Sequence, residues 1–162
     1  MEFDKKTIGI IATLIIIAVL GYVYFFIISP TFIEKPDIEK TNLTDTVSAS
    51  HITSLVNDLG AYKLHPDLSG ELPEIEIILT DTNQIFSAIV ENNIPEAKEV
   101  SGTNPDIRIS MTSAKFIELY NSQDFNSKII ELYNEGSAQL ELLKDEITLA
   151  EKGYKAIYDN FS

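Results

Sequence analysis

The chain has 162 residues, with 12 Lys and Arg against 25 Asp and Glu, so its formal net charge is −13. This length allows one modest domain and an accessory segment. The charge argues against general nucleic-acid binding, which needs Lys and Arg to neutralise phosphates. Because the chain contains no Cys, it has no disulfide framework, thiolate nucleophile or Cys-based metal site.

The first thirty residues are dominated by an uncharged apolar run, Ile8–Ile28, which reads IGIIATLIIIAVLGYVYFFII. As a helix, this run would be about 31 Å long, which matches the hydrocarbon core of a bilayer. Aromatic residues crowd its C-terminal end, as is typical of the membrane interface, and Pro30 follows. The sequence therefore predicts a transmembrane helix within residues 1–29 that holds the chain in a lipid bilayer.

A cleaved signal peptide is the alternative interpretation of this run. The apolar region of a signal peptide is normally about 7–15 residues long and ends at a small-residue cleavage site. Phe26–Pro30 is a poor site of that kind, so a retained single-pass anchor is favoured.

Lys5 and Lys6 lie next to the run, whereas Lys35 and Lys40 lie further away on the other side. Positive charge marks the cytoplasmic side, so we expect the C-terminal domain outside the cytoplasm.

The segment after the anchor reads as a connection to a separate domain. Residues 30–46 contain two prolines and no sustained apolar period, which predicts a tether, with a domain over residues 47–162. Asn42 and Asn160 each begin a triplet that fits a glycosylation acceptor. Such triplets are common by chance, so the use of these two sites stays open.

The first half of the domain shows one helical pattern followed by strand patterns. It predicts a helix that ends at Gly60, strands over residues 75–79 and 85–90, and a third strand, 94–100, that is interrupted at Pro95. The strand over 75–79 is apolar on one face, whereas the strand over 85–90 is apolar on both faces.

The second half predicts a strand over residues 106–111, two short helices, a strand over 138–142 and a C-terminal helix from Ile147 to Phe161. Several strands are apolar on one face only. This pattern favours an antiparallel or mixed sheet with helices on one side, rather than a doubly wound parallel sheet. The expected fold class is therefore α+β.

One stretch of the sequence resembles a known family. Residues 105–112, PDIRISMT, form a strand pattern that leads into the predicted helix over 113–123, and a second helix ending at Gly136, an amphipathic strand and the C-terminal helix follow. This order resembles the sterol carrier protein 2 (SCP2-like) domain, a small lipid-binding fold, over roughly residues 47–161. The hairpin at residues 75–91 is similar to the first hairpin of that family.

The resemblance implies a hydrophobic tunnel between sheet and helices that accepts an acyl chain or another apolar ligand. Apolar positions on the matching elements are the candidate lining residues, and ordinary core packing is the alternative for each of them. These candidates are Phe86, Ile107, Ile109, Met111, Phe116, Tyr120, Phe125, Ile129, Leu140 and Ile157.

Local motifs for catalysis and metal binding are missing from the sequence. His51 and His65 have no neighbouring His or Cys at metal-ligand spacing and are expected at the surface. Glu74 and Glu76 point the same way along a strand, where an exposed acidic face is expected and a carboxylate pair or cation site is the alternative. The sequence has no phosphate loop, nucleophile elbow or HExxH motif. We therefore expect neither an enzyme nor a cofactor.

The sequence thus predicts a membrane-anchored, non-enzymatic protein that binds a lipid-like ligand in a cavity between sheet and helices. The alternative is a structural or protein-interaction module of the same fold with a filled core. The interior discriminates between the two, because a continuous cavity favours ligand binding and a closed interior favours the interaction module.

Overall fold

The computed structural model describes residues 14–21 and 33–158, and the chain divides into two units, Met1–Ile33 and Glu34–Ser162. In the first unit, residues 14–21 are helical and exposed. The rest of the predicted anchor, Ile8–Ile28, lies outside the described residues. Within the described parts of the chain, none of the helices combines the length and the apolar character that a bilayer span needs. The transmembrane helix stays a prediction.

The second unit is built on a five-stranded sheet. Its strands are β1 (Glu74–Leu79), β2 (Gln84–Glu91), β3 (Ile94–Lys98), β4 (Ile107–Met111) and β5 (Ala138–Leu142). They are ordered β3-β2-β1-β4-β5, with β1 and β4 parallel and the other neighbouring pairs antiparallel. The predicted α+β fold with a mixed sheet is confirmed.

Helices precede the sheet, connect its last two strands and follow the last strand. They are α1 (Ala49–Asp58), a 3-10 helix (Ala61–Lys63), α2 (Ser113–Tyr120), α3 (Phe125–Asn134), α4 (Glu146–Glu151) and α5 (Lys155–Tyr158). Side-chain caps fix where several of them begin. The Thr112 hydroxyl accepts the Lys115 N–H at the start of α2, and the Asp124 carboxylate accepts the Ser127 N–H at the start of α3. Such caps satisfy backbone donors that the first helical turn leaves unpaired.

The C-terminal helix predicted from Ile147 to Phe161 is instead two short helices, α4 and α5, and Phe161 lies outside the described residues. Gly153, in the turn between them, has a φ of +84°, a left-handed conformation that glycine adopts at little cost. Its neighbours Lys152 and Tyr154 are both fully buried. The prediction of a single helix was wrong because this turn, with glycine at its centre, directs the large side chains on both sides of the glycine into the interior.

One face of the sheet carries the hydrophobic core, and we call it the covered face. Ile75, Ile77 and Leu79 of β1 point to this face and have no exposed surface, since alternate residues of a strand share one side of the sheet. Apolar residues of the helices, among them Leu55 and Phe116, belong to the same core cluster. The opposite side, to which Glu74, Glu76 and Ile78 point, is called the open face.

The strand β3 forms one edge of the sheet. The interruption predicted at Pro95 is absent, since β3 pairs with β2 along its whole length. The proline is tolerated because an edge strand has one side without a pairing partner, where a missing N–H does no harm. Two residues further on, the backbone N–H of Ala97 donates to the hydroxyl of Thr53 on α1, at 2.9 Å. The helix α1 therefore closes part of this edge.

The segment predicted as a tether, residues 30–46, contacts the domain from residue 35 onward. Lys35 and Lys40 both form ion pairs with Asp58 at 2.6 Å, and three carbonyls of the segment accept hydrogen bonds from side chains of the domain. Leu43 is buried in the core. Residues 33–46, the part of this segment that the structure describes, form no helix or strand, which explains why their packing leaves no periodic signal in the sequence.

Candidate ligand-binding site

The ten candidate lining residues lie together between the sheet and the helices, in the core of the covered face. Eight of them are at most 5% exposed, and Phe125 and Leu140 are partly buried at the margin of the core. None of the ten lines either of the two pockets described below. In this structure their side chains fill the core, and their role in lining a ligand cavity stays a prediction.

A groove of about 440 Å³ lies on the open face, over β2 and β3. Three large apolar side chains that line it are unusually exposed: Ile89 is 41%, Ile94 56% and Val100 54% exposed. Its polar lining includes Glu74, Ser87, Glu91, Glu96 and Lys98. A concave apolar surface with a few polar groups is the general form of a ligand site, and we call this site the open-face groove.

The strand register explains why an isoleucine faces the groove. On β2, Phe86 and Ala88 point to the covered face and are fully buried, so Ile89 must point to the other side. The sequence carried this signal, because the strand predicted over 85–90 is apolar on both faces. In a sheet that helices cover on one side only, a second apolar face indicates a binding surface, and the sequence analysis did not use it.

Glu74 lines the groove but is only 7% exposed. Its carboxylate accepts hydrogen bonds from the Ser87 hydroxyl at 2.5 Å, from the Thr103 N–H at 3.1 Å and from the Asn104 N–H at 2.8 Å. Three donors suit an ionised carboxylate, which can only accept. The expectation of an exposed acidic strand face was wrong, because the loop that follows β3 folds over it.

Glu76 is buried under the same loop but has a different partner. One of its oxygens accepts the Gly102 N–H at 3.1 Å, and the other pairs with the Arg108 Nε at 2.7 Å. Hydrogen bonds, first to Glu76 and then to Glu141, raise the pKa of Arg108. Among the described residues, no cluster of acidic or histidine side chains is suited to hold a metal ion.

The loop over residues 99–104 lies unusually close to the glutamates. A Cβ atom on Gly102 would be 2.9 Å from a carboxylate oxygen of Glu74 and 3.2 Å from the Cδ atom of Pro105. Real Cβ atoms essentially never approach another atom to 2.9 Å, so a side chain at residue 102 would force the Glu74 carboxylate or the loop to shift. The absence of a side chain at residue 102 allows the loop to reach both carboxylates with backbone N–H groups.

A buried ion pair lies beside Glu74, on the side of the helices. Asp106 and Lys152 have no exposed surface, and their charged atoms are 2.7 Å apart. The Tyr154 hydroxyl donates to Asp106 at 2.9 Å, and Lys152 also pairs with Glu71 at 2.9 Å. These residues join the turn between α4 and α5 to the start of β4. The sequence analysis missed them, because no local spacing connects residues so far apart in the chain.

The ionisation of this cluster follows from its burial and its contacts. Burial raises the pKa of the Tyr154 hydroxyl well above its usual value, and the charge of Asp106 adds to the effect. Burial alone would lower the pKa of Lys152, but the hydrogen bonds to Asp106 and Glu71 outweigh it and raise that pKa. The cluster therefore holds a charged Lys152 and a neutral Tyr154 at neutral pH. The charged and polar side-chain groups of Asp106, Lys152 and Tyr154 all have hydrogen-bond partners inside the protein.

The two histidines take structural positions. His51, expected at the surface, is only 8% exposed, because its Nδ1 accepts the Ser48 N–H at 3.0 Å and its ring contacts Tyr120 edge-on. It completes the N-terminal cap of α1, and the prediction of a surface position was wrong. His65 is partly buried, and its Nδ1 lies 3.1 Å from the Pro66 carbonyl oxygen.

A second pocket, of about 480 Å³, lies between residues 35–40 and the end of α1. Its two lysines, Lys35 and Lys40, already pair with Asp58. Burial alone would raise the pKa of Asp58, but the hydrogen bonds from both lysines outweigh it and lower that pKa. Because both of its lysines are already paired and most of its lining residues are polar, this pocket is a weaker ligand site than the open-face groove.

Comparison with known proteins gives only distant likenesses. No family model matches the chain, and no curated protein matches it. A solved structure named UbiJ-SCP2 ubiquinone synthesis protein is similar at 8% sequence identity and a TM-score of 0.42, over 69% of this chain and 94% of that one.

Two structures of the sec-alkylsulfatase Pisa1, one of them from Pseudomonas sp. and the other a double mutant, are similar at 13% and 14% identity with TM-scores of 0.36 and 0.38. They match 51% of this chain, which spans only 12% of each sulfatase. Similarity at these TM-scores carries no function to this chain, and its membership of the SCP2-like family stays a prediction.

Proposed function

We propose that this chain binds an apolar, lipid-like ligand without converting it, and that the hydrocarbon of the ligand lies in the open-face groove. The observation that carries the proposal is the exposure of Ile89, Ile94 and Val100 around one concavity. Large apolar groups left in contact with water at a concave surface are a general mark of binding sites.

The size of the groove suits a hydrocarbon chain. Its volume of about 440 Å³ lies within the ~300–1,000 Å³ that is typical of small-molecule sites. Each CH₂ group that leaves water contributes about 0.8 kcal/mol, and the lost freedom of the ligand offsets part of this. Net binding therefore needs several methylene groups in contact with the groove, which favours a ligand of lipid type over a small polar metabolite.

The interior between sheet and helices is the alternative place for the hydrocarbon, as the SCP2-like resemblance implies. A ligand there would have to separate side chains such as Phe116 and Ile129, which have no exposed surface. Interiors are packed as densely as organic crystals, so such an opening loses contacts throughout the core. The open-face groove needs no such rearrangement, and the geometry favours it for this reason.

The bilayer in which the predicted anchor, Ile8–Ile28, would lie is the proposed source of the ligand. A domain held at a bilayer meets lipid at a high effective concentration, so even a weak site would be occupied. The expected location of the domain outside the cytoplasm is tested by fusing, after Ser162, a reporter that is active only there. Activity of a cytoplasm-specific reporter at the same position would reverse this orientation.

Photolabelling of the full chain tests the proposed site. The protein is placed in lipid vesicles that contain a small fraction of a lipid with a diazirine in its acyl chain, and labelled peptides are identified by mass spectrometry after illumination. We expect label in the peptides that span residues 85–103. The double variant Ile89→Ser, Ile94→Ser should lose most of this label, because it removes apolar contact without touching the core.

The matched control replaces two exposed apolar residues elsewhere, Leu68→Ser and Ile147→Ser, which are 78% and 73% exposed. This variant should keep the label in the groove. Label confined to peptides that contain Phe116 and Ile129 would move the ligand to the interior. A domain without label, or label that both double variants lower equally, would overturn the proposal.

A protein-interaction module with a filled core is the second candidate function. It is favoured by one observation, namely that eight of the ten candidate lining residues are buried in the core and the other two, Phe125 and Leu140, pack against it. A partner protein would insert apolar side chains into the same groove, so both functions use one surface. Absence of lipid label from the groove of a correctly folded chain would favour this second function.

A further inference from the structure

The charges around the open-face groove indicate which end group its ligand carries. We propose that the groove selects lipid-like ligands with a positively charged, ammonium-type head group, and that Glu74 is the anion that this group faces. This inference rests on the proposed function, since it concerns the ligand of the same site. It extends that function from a hydrocarbon chain of any kind to one class of amphiphile.

The charged lining of the groove is unbalanced. Glu74, Glu91 and Glu96 line it, and Lys98 is the only cation among its lining residues, so three negative charges and one positive charge leave a net charge of −2. Lys98 lies 3.5 Å from Glu96, which neutralises part of its field at the rim. The end group of a fatty acid, a carboxylate, would therefore meet repulsion here, and a cation would meet attraction.

Glu74 is the most deeply buried of these charges. It is 7% exposed, and none of the ion pairs in the described part of the chain includes it, whereas its neighbour Glu76 pairs with Arg108. The three hydrogen bonds to Glu74 come from a hydroxyl and two backbone amides, which orient the carboxylate but leave its charge in place. A nearly buried anion without a cation is costly, and a cation in the groove would offset that cost.

The apolar and charged parts of the lining lie at the spacing of an amphiphile. Glu74 is paired with Ile89 across the β1–β2 ladder, so the anion and the exposed isoleucine are immediate neighbours on the open face. An ammonium group near Glu74 therefore places the first methylene groups of its chain against Ile89. Ile94 and Val100 extend the apolar surface from there.

Three photoreactive probes with the same acyl chain test the selectivity. They carry a diazirine in the chain and end in an amine, an alcohol or a carboxylate, and each is added to vesicles that contain the full chain. Labelling of residues 85–103 is corrected for the amount of probe in the vesicles. We expect the amine to label most and the carboxylate least, with an amine-to-carboxylate ratio that falls as salt is added, because salt screens exposed charges.

Removal of single charges locates the effect. Glu74→Gln, which keeps the shape of the side chain, should lower the amine-to-carboxylate ratio by about fivefold, the upper end of the effect of one exposed ion pair. Glu96→Gln is a second test of the amine-to-carboxylate ratio, which should also fall. This residue lies at the solvent-exposed rim, where folding is not at risk. Glu135→Gln removes an exposed charge on the C-terminal end of α3 and should leave the ratio unchanged.

The outcomes separate this inference from the proposed function. Equal labelling of the groove by all three probes, or preference for the carboxylate, overturns the ammonium selectivity and leaves lipid binding intact. Absence of label from the groove with every probe overturns both. Labelling by the amine probe can also be competed with a basic, apolar peptide or with the same amine without the diazirine. If the peptide prevents labelling and the amine does not, the groove is assigned to a protein, which also overturns the inference.

Discussion

The covered face and the open face of the sheet bury opposite kinds of side chain. On the covered face, Ile77 and Ile109 are paired across neighbouring strands and have no exposed surface. On the open face, Glu74 and Glu76 are nearly buried, while Ile89 is 41% exposed. Burying a carboxylate costs free energy, and an isoleucine that stays exposed gives up the stabilisation that its burial would contribute. The covered face therefore accounts for stability, and the inverted open face calls for a functional explanation.

Two buried carboxylates show the same contrast at closer range. Asp106 and Glu74 lie side by side, and the backbone N–H of each is hydrogen-bonded to the other residue at 2.8–2.9 Å. Asp106 has a buried cation, Lys152, within 2.7 Å. Glu74 has only uncharged donors. The first carboxylate is paired with a cation inside the fold, whereas none of the ion pairs in the described part of the chain includes the second.

Breaking the compensated pair should have the largest effect. Asp106→Ala leaves Lys152 fully buried without its nearest anion, and we expect the free energy of unfolding to fall by about 3–5 kcal/mol. Urea denaturation measures the change. The exposed Asp45 provides the matched control, since Asp45→Ala should change stability by less than about 0.5 kcal/mol. A loss below about 1 kcal/mol at Asp106, typical of a surface ion pair, would remove the contrast between the two carboxylates.

Moving the loop away from the open face should have the next largest effect. Gly102→Ala places a Cβ atom 2.9 Å from the Glu74 carboxylate, and we expect overpacking to cost about 1–3 kcal/mol. Hydrogen exchange should also accelerate at the amides of Thr103 and Asn104, which hydrogen-bond to Glu74. The neighbouring exposed residue serves as control through Ser101→Ala. Unchanged exchange in the glycine variant would show that the loop tolerates the side chain.

Neutralising the uncompensated carboxylate should cost less than breaking the pair. Glu74→Gln replaces one acceptor oxygen by an NH₂ group, which then faces the donors that the oxygen had accepted from. We expect the free energy of unfolding to fall by about 1 kcal/mol. No buried cation is left alone by this change, in contrast to Asp106→Ala. The two variants are compared under identical conditions in urea. A larger loss for the glutamate than for the aspartate would reverse the comparison.

Removing apolar contact from the groove should have the smallest effect on stability. Ile94 is 56% exposed, so Ile94→Ser should change the free energy of unfolding by less than about 0.5 kcal/mol. Ile109→Ala, on the covered face, should cost about 2–5 kcal/mol because it leaves a cavity. Thermal unfolding of both variants measures the difference. Similar losses at the two positions would show that Ile94 belongs to the folding core after all.

The sheet and its covered face could be predicted from the sequence. Regular alternation over 75–79 and 107–111 is produced by strand geometry itself, so it identifies both the strands and the side that is buried. The apolar strand over 85–90 even contained the second, exposed apolar face. The expected placement of the helices on one side left the other side uncovered, but the concavity that forms there also depends on β3 and on the loop that follows it, which only the assembled sheet brings together.

The polar part of the site could not be predicted in the same way. Glu74 and Glu76 are buried by an irregular loop, and irregular segments carry no period that tells what they cover. The partners Asp106 and Lys152 are 46 positions apart in sequence, so only the folded chain brings them together. Gly102 was an available signal, but a lone glycine in a loop does not reveal which atoms approach it.

The edge strand β3 also decides how other chains can approach the domain. Backbone donors two residues apart face the same side of a strand, so Pro95, which has no N–H, and Ala97, whose N–H is taken by Thr53, stand at the outer margin. An incoming strand would find no hydrogen-bond donor along this border. The sheet is therefore poorly suited to extension on the groove side by β-augmentation or by stacking into fibrils, which limits the self-association of a domain that exposes Ile89, Ile94 and Val100 around its groove.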